Sequence, residues 1–341
     1  MFPTMRLRPF IASLPLLLCG LSLLPGCKPA PETAGEETAA PKTVILLTAH
    51  ADLPFEAAQR QYLMQLLAKQ TRAVLQTHDA GGNAEAQASQ LAQATAAKPF
   101  AIIVDPVDAK ALAARVKEAA DAGVLVVGLG QTATAARFTT ALYSDQFEIG
   151  RLAGEIAVRA LTMKAQEENR PEITGRVVEI RGSDEAPQCA QRHEGFLEAL
   201  KAIPGAVLVH DAPGGWTKTG GKERLQEALR VQKTFDVVYA HNDAMALGAA
   251  EAAGDQRESL LIIGTDGFRA PEGGFTLVNN GDIDASVYQP LLVDFAWTII
   301  RKKMDDPNLV LKPSYRLTPQ AITPKEIEKL RREGMPPFPA L

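Results

Sequence analysis

The sequence predicts an α/β protein built as two similar doubly wound lobes, each a parallel sheet with helices on both faces. Short apolar runs of four to seven residues alternate with longer stretches whose apolar side chains recur at helical spacing. The runs are continuously apolar rather than alternating, the pattern of strands buried on both faces. The alternation occurs twice along the chain, without a 20–50-residue sequence repeat of the kind that marks a solenoid.

The first series opens with TVILLTA at 43–49, a buried strand. The helix at 55–70 follows, with Phe55, Ala58, Tyr62 and Leu66 on one face and Leu63 and Leu67 beside them. Next come a strand at 73–78, a helix at 84–97, a strand at 99–105, a helix at 108–123 and a strand at 124–130. Gly123 stands where a helix C-terminus needs a residue free to adopt positive φ. The second series runs through helix 147–161, strand 175–182, helix 189–203, strand 206–212, helix 221–232, strand 235–240, helix 243–254, strand 259–267 and an extended segment at 283–289. A helix at 290–304, a further segment at 311–322, a short charged helix and a Pro-rich tail complete the chain.

The N-terminus is of a different character. Arg6 and Arg8 precede the apolar run FIASLPLLLCGLSLL at 10–24, which is too short and too Pro-broken for a good membrane span and has the order of a secretory signal. It ends in LPGC at 24–27, which resembles the lipobox of bacterial lipoproteins. That resemblance implies cleavage before Cys27 and lipidation of its thiol, with Lys28 favouring the outer membrane; cleavage nearby without lipidation is the alternative. Either way the chain is expected to be exported. The tract at 28–42 is rich in Pro, Ala, Glu and Thr, has no hydrophobic period, and reads as a flexible tether.

Composition narrows the function classes. The 341 residues hold 46% hydrophobic and 22% charged side chains, ordinary for a globular protein. The net charge of −4 and the lack of a basic stripe with interleaved aromatics argue against nucleic acid as a partner. Of three cysteines only Cys189 lies in the body, so no disulfide framework is expected. The five histidines show no paired ligand spacing, so no metal and no cofactor are expected. The GLG at 128–130 lacks the third glycine of a dinucleotide loop, 215–223 lacks the Lys-Ser/Thr of a phosphate loop, and no G-x-S-x-G elbow occurs. The chain is therefore expected to bind rather than to catalyse.

In an open parallel sheet, ligands bind outside the carboxyl ends of the strands. Polar residues recur there: Asn242 and Asp243 after 235–240, Asp266 after 260–264, Gln289 after 283–288, and Ser144 and Asp145 near 141–146. Amides, hydroxyls and carboxylates suit a ligand rich in hydroxyls or amines. Phe55 and Trp216 offer flat apolar faces. Asn or Asp before a helix also serves as an N-cap, which is the competing role for Asp145, Asn242 and especially Asp243.

From about Thr43 to Leu317 the chain resembles type I periplasmic solute-binding proteins, in particular the ribose- and galactose-binding group. The resemblance is carried, in order, by LPFE at 53–56, SDQFEIGRLAGE at 144–155, QRHEGFLEAL at 191–200, HNDAMALGAAEA at 241–252, IGTDGF at 263–268 and IDASVYQP at 283–290. It implies two lobes joined by a three-stranded hinge, with 43–144 plus 290–315 as the first lobe, 145–289 plus 316–323 as the second, and 324–341 as a tail. It also implies a ligand clamped between them by hinge closure and delivered to a membrane transporter permease, or reported to a membrane receptor. By the same likeness Phe55 matches a residue that stacks on sugar, Trp216 falls near another aromatic contact, and Asn242, Asp266 and Gln289 match polar contacts. Arg192 is retained, while Ala190, Leu53, Thr265 and the Gly130–Gln131 pair replace polar or aromatic residues of the sugar binders. The expected ligand is thus a sugar or polyol, with a less polar, lipid-like metabolite as the alternative.

Overall fold

The computed structural model describes residues 40–334. The signal segment, Cys27, all but the last three residues of the tether, and the final seven residues of the tail lie outside that range.

Two six-stranded sheets organise the chain. The first has the order β11-β5-β4-β3-β1-β2, from β1 (Lys42–Thr48), β2 (Ala73–Asp79), β3 (Ala101–Val104), β4 (Leu125–Leu129), β5 (Thr140–Ser144) and β11 (Ser314–Leu317). The second has the order β12-β10-β9-β8-β6-β7, from β6 (Thr174–Arg181), β7 (Gly205–Pro213), β8 (Val237–Ala240), β9 (Leu261–Asp266), β10 (Ala285–Tyr288) and β12 (Gln320–Ile322). Every pairing is parallel except β10 with β12. Strand order turns back on itself in each sheet, as the doubly wound pattern requires.

The continuous apolar runs place alternate side chains on opposite faces. Val44 and Leu46 of β1 join one cluster, while Ile45 and Leu47 join another beneath α2 (Ala84–Ala96) and α3 (Ala109–Asp121). In the second sheet Val178 and Val238 face one cluster, and Val177, Val237 and Tyr239 face that beneath α4 (Gln146–Glu167) and α5 (Pro187–Leu200). Polar residues at the strand-to-helix joints satisfy the first helical N–H groups. Asn83, Asp108, Asp145 and Thr217 each accept from a backbone N–H in the opening turn of the helix they precede, the last being α6 (Lys218–Val231).

The chain passes between the sheets three times. It crosses after β5, where α4 packs on the second sheet, and returns after β10 into α9 (Leu292–Asp305), which lies against β3, β4 and β5. The last passage falls at 318–319, between β11 and β12, two residues beyond the 315/316 border read from the sequence. The helix α10 (Pro324–Glu333) then packs against β12. The sequence reading also missed α8 (Gly274–Asn280), and put Lys42 in the tether although it opens β1.

The helices α4 and α5 approach closely because each presents a glycine to the backbone of the other. A Cβ on Gly150 would stand 1.9 Å from the carbonyl oxygen of Arg192, and one on Gly195 would stand 2.0 Å from that of Phe147. Both distances are far inside contact, so these residues set how near α5, and with it Arg192, lies to α4.

Candidate functional site

A cavity of about 340 Å³ lies at the carboxyl ends of both sheets, walled by side chains from each lobe. The first lobe contributes Leu53 and the opening turn of α1 (Pro54–Ala68), with Phe55, Glu56 and Gln59, together with Asp105 after β3, Thr132 after β4 and Leu292 from α9. The second contributes Gln146 at the start of α4, Pro187, Gln188, Gln191 and Arg192 from α5, Trp216, Asn242, Asp266 and Gln289.

Arg192 is 4% exposed and stands at the centre of the polar network. Its Nε donates to Gln146 Oε1 at 2.9 Å, one terminal nitrogen donates to Gln289 Oε1 at 2.6 Å, and the other donates to the backbone carbonyl of His241. Its guanidinium carbon lies 5.7 Å from the centre of the Trp216 ring, within cation–π range. Trp216 has φ +63° and is followed by Thr217, which caps α6. A Cβ on Gly182 would lie 2.1 Å from the Trp216 ring, so only glycine leaves the indole its place.

The stretch Tyr239-Ala240-His241-Asn242-Asp243 divides its work differently from the sequence reading. The N-cap of α7 (Asp243–Ala252) is Asn242, whose Oδ1 accepts from Met245 N at 2.9 Å while its Nδ2 donates to the carbonyl of Trp216 at 2.9 Å. Asp243, expected as the cap, turns instead into the lobe. There its Oδ2 accepts from Gly267 N and Gly274 N, both at 2.7 Å, and its Oδ1 accepts from Ser286 Oγ at 2.6 Å. The cause is position: the first helical residue points its side chain toward β9 and β10, where three donors await. His241 is fully buried and meets Glu179 Oε1 at 2.9 Å; His193 meets the other oxygen at 2.6 Å. Burial pushes the Glu179 carboxyl up, but these two partners outweigh it and hold the group below its ordinary range.

Six of the sequence candidates, Phe55, Arg192, Trp216, Asn242, Asp266 and Gln289, are brought together at this cavity. Two are not. Ser144 is 1% exposed within β5 and absent from the wall, and Asp145 caps α4 through Glu148 N and pairs with Arg316 at 3.3 Å. A side chain at a strand end reaches a cleft only if its face points there, and it is the next residue, Gln146, that does so. Phe55, matched to a sugar-stacking aromatic, has its ring against Phe268 across the lobes, with centroids 5.8 Å apart and planes at 28°. The Thr132 wall lies beside Gly130; the side chain of Gln131 is outside the described set.

Sequence reasoning missed Glu56 and Asp105. Burial pushes Glu56 up to about 6, and burial plus the charge of Glu56 pushes Asp105 well above the usual carboxylate range. Asp266 is raised in the same way, by burial and then by Asp243, which burial itself pushes up to about 7. Asp266 also has φ +109°, a backbone state that non-glycine residues seldom adopt and that costs on the order of 1–3 kcal/mol. Its signal in the sequence was the turn TDG at 265–267, in which Gly267 also has positive φ.

The family model described as the periplasmic binding protein domain matches residues 44–292. The chain belongs to this family. This periplasmic binding protein is 29% identical over 189 residues to the ribose import binding protein of Escherichia coli, a match covering 55% of this chain and 59% of that one. It is 27% identical over 275 residues to the galactofuranose-binding protein of the same organism, covering 74% and 81% of the two chains. Among solved structures, its fold is similar to a solute-binding protein of Actinobacillus succinogenes with bound D-allose, at a TM-score of 0.72 and 19% identity, covering 84% of this chain and 99% of that one. It is also similar to the Caulobacter myo-inositol binding protein, at 0.69 and 24%, covering 86% and 97%. At these identities the structural matches establish the fold, two α/β lobes with predominantly parallel sheets.

Proposed function

We propose that this protein captures a small hydroxyl-bearing solute between its lobes and delivers it to a membrane transporter. The observation that carries the reading is the cavity itself, polar, walled from both lobes, and placed at the carboxyl ends of both sheets. Its volume of about 340 Å³ falls at the small end of ligand sites, which run from roughly 300 to 1,000 Å³, and suits a single ring. The relatives named for ribose and galactofuranose, and the structures holding D-allose and myo-inositol, support the same class. A lipid-like occupant fits poorly, because it would leave Glu56, Asp105 and Asp266 facing hydrocarbon without partners.

In this reading Trp216 supplies a flat face, while Asn242, Asp266 and Gln289 hold hydroxyls and Arg192 orders the wall around them. Ser144 and Asp145 have no ligand role. The lobes follow sheet membership, and closure turns on the three passages between them. The protein binds without turning its solute over. The segment before the described residues supports export, with Cys27 as a lipid anchor and 28–41 as the tether.

The test is thermal unfolding and titration calorimetry with a panel of pentoses, hexoses and inositols. A true ligand at one hundred times its Kd stabilises the protein by about 2.7 kcal/mol, a rise of several degrees in Tm. Failure of every ring solute to stabilise it, or release of a chemically altered product, would overturn the reading.

A further inference from the structure

We infer that the captured solute carries a protonated nitrogen, a primary ammonium on a small hydroxyl-bearing ring, seated against Glu56 and Asp105 with Asp266 on the facing wall; this rests on the capture reading above. The charges of the wall are unbalanced. Three carboxyl groups, Glu56, Asp105 and Asp266, line the cavity, and the one cationic side chain among its lining residues is Arg192. The charge of Arg192 offsets part of the burial of Glu56 and Asp266, but it pairs with none of the three. Each of its three nitrogens donates to a neutral oxygen, from Gln146, Gln289 and the His241 backbone, and among the described residues it forms no ion pair.

Asp266 is the second and independent sign of a missing partner. It is 5% exposed, lines the cavity, and among the described residues has no hydrogen bond or ion pair to its carboxylate. A buried carboxylate without donors is costly, and the cost falls when a ligand brings them. Hydroxyls supply one donor each, whereas an ammonium supplies three donors and a full charge. A neutral sugar would satisfy part of this wall and leave its charge uncompensated; an anionic solute would meet repulsion from both walls. The groups facing Glu56 are Asp105, Asp52 and Arg192, so its elevated titration near 6 reflects burial with too little positive charge nearby.

The test uses two matched pairs that differ by one hydroxyl exchanged for an amine, D-glucose with D-glucosamine and myo-inositol with an inosamine, by calorimetry on the wild type and on a Glu56→Gln, Asp105→Asn double variant. At pH 7.5 the amine of at least one pair binds about tenfold or more tighter than its hydroxyl counterpart, as charge-assisted hydrogen bonds imply. In the double variant that ratio falls toward one, because the amine loses more affinity than its hydroxyl counterpart does. Lowering the pH to 5 protonates Glu56 and weakens the amine more than its counterpart. An amine preference that survives the double substitution, or tighter binding of the hydroxyl members, overturns the inference and leaves solute capture standing. Binding of none of the four overturns the inference, and the wider panel of pentoses, hexoses and inositols then decides whether capture of ring solutes stands.

Discussion

Replacing Gly150 by alanine sets two effects against each other. In mid-helix the exchange is worth roughly 1 kcal/mol of stability from backbone propensity alone. Against it stands the contact with α5, because the new Cβ would lie 1.9 Å from the carbonyl oxygen of Arg192 and 2.8 Å from its Cα. Carbon and oxygen settle near 3.3 Å, so α5 must retreat by ~1.4 Å. Arg192 rides on that helix, and its 2.6 Å bond to Gln289 would stretch to a separation that is no longer a hydrogen bond. Overpacking costs about 1–3 kcal/mol, and a weakened bond from a charged donor adds roughly 1.5–3 kcal/mol. The net expectation is a loss of about 1.5–5 kcal/mol, read as a shift in the urea midpoint, with ligand affinity falling at least tenfold. Gly154→Ala is the internal control: its Cβ would meet Ala199 Cβ at 2.6 Å and Phe196 O at 2.7 Å, a milder clash one turn away from Arg192. It should cost less and leave affinity near that of the wild type. A Gly150→Ala protein as stable as the wild type with unchanged affinity would refute the claim that this contact positions the arginine.

Other expectations follow from the cleft and its supports. Glu56 has a folded-state pKa raised from 4.5 to about 6, so its contribution to stability is complete below pH 4.5 and is lost as pH rises through 6. Ligand-free Glu56→Gln should therefore match the wild type near pH 4.5 and exceed it by about 1 kcal/mol at pH 7.5, after discounting for partial exposure; a constant offset across pH in thermal melts would contradict this. Asp243→Ala strands the N–H groups of Gly267 and Gly274 and the hydroxyl of Ser286, at a cost of about 3–5 kcal/mol. Asp243→Asn keeps an acceptor for the glycines and should cost under ~1.5 kcal/mol in the same urea assay; equal losses would count against the assigned bonds. Gly182→Ala drives a methyl into the Trp216 ring and should cost about 1–3 kcal/mol while weakening ligand binding, measured by calorimetry.

The fold was legible because burial on both faces writes itself into continuous runs such as AIIV at 101–104 and LVVGL at 125–129, and these leave few alternatives to a covered parallel sheet. What escaped was short or non-local. The seven residues of α8 begin with glycine and have no side-chain cap, and β12 is three residues long and defined only by its antiparallel partner. At the site, Asn242, Asp266 and Gln289 were visible because strand ends aim at the cleft. Ser144 and Asp145 fit the same rule but do not line the cavity, since the rule does not say which face a strand end turns outward. Glu56 hid in plain chemistry: an acid in the first turn of a helix reads as a partner for the helix dipole. Asp105 precedes a proline after β3 and reads as a turn residue. Only the cavity gives either of them a second meaning.

The bonds of Arg192 reach further than the ligand wall. Gln146 opens α4, just after the chain has left the first sheet, and Gln289 lies in the segment where it returns. One guanidinium thus fastens two of the three strands of chain on which the lobes would swing. A substitution there cannot separate affinity from domain motion, because the same side chain is both a wall of the site and a latch on its doorframe.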